Sequence, residues 1–183
     1  MMIRKPLVIA IAAVSGGGKT TVTTKLNKIL QRSKVLFFDD YEFEGPDDMC
    51  DWVERGADNN EWKLAPLIND LCSLISNPSQ SLDFILLDYP FAYMNFEMRE
   101  YIDFTIFIDM PLDIAMARRI LRDFKESSIE LVLNDLNTYL SRGRVAYLEM
   151  CKTIKPNCDL IIDGSLSVGV IVNQIYERIN MLR

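Results

Sequence analysis

The residues best equipped for chemistry in this 183-residue chain are a lysine and two threonines behind three glycines: Ser15-Gly16-Gly17-Gly18-Lys19-Thr20-Thr21. Consecutive glycines let the backbone curl so that its N–H groups converge on an anion. Lys19 then supplies a full positive charge for terminal phosphates, and the Thr20 hydroxyl is an oxygen ligand suited to Mg²⁺. The segment fits the phosphate-binding pattern GxxxxGK(S/T) except at its first position, where Ala13 stands in place of glycine. Alanine fits there if its backbone keeps a negative φ. A second set of candidates is acidic: four apolar runs end in aspartate, at Phe38-Asp39, Leu87-Asp88, Ile108-Asp109 and Ile162-Asp163. A third is basic, with Arg118, Arg119 and Arg122 close together and Arg142 and Arg144 flanking Gly143.

Composition narrows what these groups can do. The chain contains no histidine, so histidine triads, histidine bases and most zinc sites are excluded. Acid–base work falls to carboxylate, lysine, tyrosine or cysteine. The net charge of −6 argues against a nucleic-acid or anionic-membrane surface. Hydrophobic residues at 49% and charged residues at 25% fit one compact globular domain spanning residues 1–183. The four cysteines lack CxxC spacing and read as reduced thiols of a cytoplasmic protein. No secretory leader or membrane-spanning run is expected.

The elements that must position these groups follow from the apolar pattern. Runs at 7–13, 35–38, 84–87, 105–108 and 160–162 read as strands. They are continuous rather than alternating, as in parallel strands covered on both faces. Helical periodicity separates them: residues 19–31; Leu64, Leu67, Ile68, Leu71 and Ile75, bounded by Pro66 and Asn77-Pro78; Ile114, Ala117, Leu121 and Phe124; and Val168 to Leu182, capped by Ser165 or Ser167. The alternation predicts an α/β fold, a five-stranded parallel sheet with helices on both faces. Two stretches depart from it. Residues 39–62 are rich in acids and aromatics. Residues 124–152 add a periodic helix (Ile129, Val132, Leu133, Leu136, Leu140) before Arg142-Gly143-Arg144. Such insertions suit a substrate-binding segment and a mobile lid.

Parallel strands all end on one edge, where the glycine loop also sits and where ligands bind. Asp88, closing a strongly apolar strand, is the expected Mg²⁺ partner, directly or through water. Asp39 is the expected base for an attacking hydroxyl. Asp40 competes with it, because neighbours on an extended chain point to opposite sides. Asp109 and Asp163 read as turn or cap aspartates. Arg119 is expected to pair with Asp123, and Arg122 with Glu126. Arg118 has no acid one turn away and shares a face with Arg122, an arrangement that suits an anion such as a transferred phosphoryl group. Tyr41 and Trp62 are candidate substrate contacts; aromatics beside acids either stack a base or pack a lid.

The loop VSGGGKTT, the strand-end DDY at 39–41 and ARRILRD at 117–123 resemble the uridine kinase and phosphoribulokinase-type branch of P-loop kinases. The tail KPNCDLIIDG at 155–164 resembles the closing strand of those enzymes. The resemblance implies a P-loop NTPase fold, ATP with Mg²⁺, and transfer of the γ-phosphoryl group to a hydroxyl of a small molecule, a nucleoside first among them. It implies that Lys19 and Thr20 hold phosphate and metal, that Asp39 is the base, and that Arg118, Arg119 and Arg122 form the phosphate-contacting helix. Two features depart from the family. Its RGR segment closely follows RRIxRD, whereas Arg142-Gly143-Arg144 comes some twenty residues later. After the third strand stands Asp88-Tyr89-Pro90 rather than an acid and glycine. A different class also fits the loop: a P-loop protein that hydrolyses nucleotide to switch a partner.

Overall fold

The computed structural model describes residues 5–77 and 81–182. Pro78, expected beyond a helix end, lies outside them. In chain order the elements are β1 (Leu7–Ala12), α1 (Lys19–Ile29), β2 (Ser33–Phe37), α2 (Met49–Glu54), α3 (Ala65–Ser76), β3 (Phe84–Asp88), β4 (Phe104–Asp109), α4 (Leu112–Asp123), α5 (Ile129–Thr138), α6 (Arg144–Glu149), β5 (Leu160–Asp163) and α7 (Val168–Asn180). The five strands form one parallel sheet in the order β2-β3-β1-β4-β5. Register sets Asp88 beside Ile11 on one side and Phe37 on the other, and Asp109 beside Asp163. All the strand-end aspartates therefore reach one edge.

Alternation along β1 sorts the core. Ile9 and Ile11 face α1 and α7 through Val22, Leu26, Ile171, Ile175 and Ile179. Val8, Ala10 and Ala12 face Leu67 and Leu71 of α3 and an aromatic group from the first insertion. Pro66 sits in the first turn of α3, where its missing N–H costs nothing. Ser167 caps α7, while Ser165 is held by Asp163.

Two expectations about helices need correction. The face of α4 expected to be apolar and buried (Ile114, Ala117, Leu121, Phe124) does not carry the helix: Ala115 and Met116 are its buried residues, and Leu121 is 74% exposed. The reason is the neighbour of its first turn, which is the glycine loop. A Cβ built on Gly16 would lie 2.0 Å from the Ala115 carbonyl oxygen. The second insertion is also more regular than expected. Helical backbone continues from 129 to 157, through α5, a π-helical stretch at 139–143, α6, a second at 150–154 and a short 3₁₀ turn. Arg142-Gly143-Arg144 is thus part of a helix rather than a loop, with Gly143 at φ −67°.

Candidate nucleotide site

The glycine loop joins β1 to α1 with the geometry that phosphate binding requires. Gly16 and Gly18 have φ of 79° and 91°, a region costly for other residues. Ala13 is buried and is not among the described residues with positive φ, so alanine is tolerated at that position. Gly18 begins α1 with no side-chain cap, and no acid lies in the first turn. The free N–H groups and the positive helix end are thus left for an anion. Ser15, Thr20 and Thr21 are exposed on this rim.

Lys19 turns from the loop onto Asp88. Their side chains are 14% and 2% exposed. Apart from that ammonium, neither Asp88 oxygen has a hydrogen-bond donor among the described residues. A buried carboxylate with a spare oxygen is a fitting partner for Mg²⁺, which takes few protein ligands and keeps waters and phosphate oxygens. Among the described residues there is no cluster of three or more metal-binding side chains. Thr20 and Asp88 remain the residues that would hold the ion.

Helix α4 brings its arginines to the same edge, with partners other than those expected. Arg122 pairs with the neighbouring Asp123 rather than Glu126, and its Nη2 lies 3.4 Å from Ser15 Oγ. That pairing holds the Asp123 carboxyl below the usual carboxylate range. Arg122 also lies within the electrostatic reach of Asp39. Arg119 pairs with Asp135 on α5 rather than Asp123. Arg118 has no carboxylate partner among the described residues and points Nη1 toward Met110 Sδ at 3.7 Å.

Asp39 and Asp40 are both exposed and lie in a 3₁₀ turn, Phe38–Asp40, not on extended chain. The argument from alternating directions therefore does not separate them. What differs is the group each charge acts on, Arg122 for Asp39 and Tyr41 for Asp40. Tyr41 donates to Asp70 on α3 at 2.9 Å, and burial followed by that bond pushes its phenol up. Trp62 packs edge-on to Phe38 and Trp52 and against Phe91, within the core. Both aromatics pack within the insertion and are partly buried. Asp109 is held by Lys155 at 2.6 Å, and Asp163 by its turn with Ser165.

The second insertion closes over the loop. Tyr147 on α6 is brought to Ser15, and burial is the main reason its phenol is raised. Arg142 does not reach toward the loop: Nη2 binds Asp51 at 2.6 Å and Asp48 at 3.2 Å. Arg144 is exposed and makes no ion pair among the described residues. Sequence reading missed Tyr147 and Asp135, whose partners lie far along the chain. It could have found Asp48 and Asp51, since an aspartate at a helix cap and another three residues later mark a helix start.

No protein-family model matches the chain. It is 28% identical to a protein named uridine kinase from Macrococcus caseolyticus, with 97% of this chain and 98% of that one covered. A uridine kinase from Chlamydia pneumoniae is 23% identical, with 98% and 91% covered. Among solved structures, a deoxyadenosine kinase from M. mycoides with bound dCTP superposes at a TM-score of 0.54. That match has 14% identity and covers 96% of this chain and all of the other, so it speaks to fold. The chain therefore resembles uridine kinases over nearly its whole length and has the α/β fold of P-loop kinases.

Proposed function

We propose that this relative of the uridine kinases is an ATP-dependent kinase that transfers the γ-phosphoryl group to a hydroxyl of a nucleoside. The observation that carries the reading is one convergence at the sheet edge: Lys19 on buried Asp88 and Arg122 on Ser15, with Asp39 within electrostatic reach of Arg122. The loop from Ser15 to Thr21 and the Lys19 ammonium bind the terminal phosphates of ATP. Thr20 and Asp88 hold Mg²⁺, which neutralises charge on the phosphate oxygens. Asp39 orients the acceptor hydroxyl and takes its proton as that oxygen bonds to the γ-phosphorus and the bond to ADP breaks. Arg122 and Arg118 stabilise charge on the group in transit. The continuous helix at 129–157 excludes water, so that the acceptor competes successfully with hydrolysis.

The test is Mg-ATP with a panel of nucleosides, following ADP. Release that depends on one acceptor is the expected result. Acceptor-independent release would replace this reading with the nucleotide-hydrolysing switch.

A further inference from the structure

The helical segment 129–157 is anchored at its far end by buried Ile154, with Ala146, Tyr147 and Met150 packed partly against the core. Neither α5 nor α6 has a fully buried residue, and Ile129 and Leu140 are more than 70% exposed. Among the described residues, three ionic tethers join it to the rest of the fold: Asp135 to Arg119, Arg142 to Asp48 and Asp51, and Lys155 to Asp109. The first and last reach the nucleotide half, at α4 and the end of β4. The middle one reaches the other insertion, at the first turn of α2. Its partners are 94 and 91 residues away in sequence.

The chemistry of that middle tether is suited to release. Asp48 is already the cap of α2, with Oδ1 accepting from the N–H groups of Cys50 and Asp51. Arg142 shares the same oxygen and adds Asp51. Its charge stands at the positive end of a helix and stays there because two carboxylates outweigh that repulsion. The Arg142, Asp48 and Asp51 side chains are 40%, 47% and 64% exposed, so water and salt compete for them. Arg142 lies within the π-helical stretch 139–143, where one extra residue in the turn rotates the helix face that follows by about 100°.

We propose that Arg142 is a latch: it holds the helical segment against the α2 insertion and positions the lid between its open and closed arrangements. The same arginine joins the side bearing Asp39 to the side bearing Tyr147 and Ser15, so disturbance of one insertion is felt at the other. The latch rests on the kinase reading for its role in turnover but not for its existence. An exposed pair of this kind biases an open–closed equilibrium by about fivefold at most, enough to hold a lid and weak enough to let a ligand move it.

The experiment is amide hydrogen exchange on the ligand-free protein, with the sheet as internal reference, for Arg142→Gln, Asp51→Asn and the charge swap Arg142→Asp with Asp51→Arg. Each single change should raise exchange across 129–154 about two- to fivefold without affecting β1 and β3, and the swap should return it toward wild type. High salt should raise exchange more in the wild type than in Arg142→Gln, where only the Asp135 and Lys155 pairs are left to screen. If the kinase reading holds, the single variants raise the acceptor KM more than they lower kcat, and the swap rescues it. If no acceptor is phosphorylated yet exchange responds as stated, the latch stands and the kinase reading falls. Unchanged exchange in both single variants, or a swap that fails to restore it, overturns the latch.

Discussion

Replacing Lys19 by methionine should unbalance the fold as well as silence the site. The partner of Lys19 is buried: Asp88 is 2% exposed and has no hydrogen-bond donor beyond Lys19 among the described residues. Methionine fills the same volume and admits little water, so the carboxylate is left without a counter-charge. Breaking a buried pair in this way costs about 3–5 kcal/mol. We therefore expect a loss of about 3–4 kcal/mol, roughly 10 °C in melting temperature for a chain of this size. Lys19→Ala should cost less, since it lets water reach Asp88. Lys19→Met combined with Asp88→Asn should recover most of the stability without recovering ATP binding. The assays are thermal melting and ATP titration of the same proteins. A Lys19→Met protein that melts with wild type would refute the reasoning.

Three further outcomes follow from geometry. Gly16→Ala should abolish ATP binding and lower the melting temperature, because its Cβ has 2.0 Å to the Ala115 carbonyl and φ is 79°; a titration showing wild-type affinity would contradict the packing of loop on α4. Asp39→Asn should lower acceptor-dependent kcat by at least about 10²-fold with ATP affinity little changed, and Asp40→Asn should do less; the reverse order would move the base to Asp40. Burial pushes the Cys158 thiol up to about 12, so it should resist a disulfide reagent at pH 8 in the native protein and react once unfolded; rapid native labelling of Cys158 would count against its placement.

The sheet and the loop were legible because their signals are local: an unbroken apolar run, a glycine turn, a lysine and a helix lie within one short stretch. Asp88 was legible for the same reason, as the last residue of a run whose neighbours are fully buried. The helix faces were less so. Periodicity along α4 assumes that the sheet is what it packs on, whereas its first turn rests on the Gly16 loop and its last turns meet α5. Arg119 shows the limit of the one-turn rule. Asp123 stands at the right spacing, but Asp135, 16 residues on, holds the guanidinium in a less exposed setting. For Trp62, the aromatic-and-acid composition fits stacking on a ligand and packing within the insertion equally well. The ring contacts with Phe38, Trp52 and Phe91, all distant in sequence or on other elements, show the packing that composition could not.

The close seat of Gly16 on α4 makes the phosphate loop, the arginine helix and the sheet one stiff body. The segment from Phe38 to Trp62 is attached differently, through a stack of rings on Tyr89 and Phe91 and through single polar bonds such as Asn95 to the Asn59 and Trp62 carbonyls. Residues 38–62 and 89–95 thus form a layer laid on that body, and a graft there would have to keep Asp39 as well as Asp48 and Asp51, the partners of Arg142.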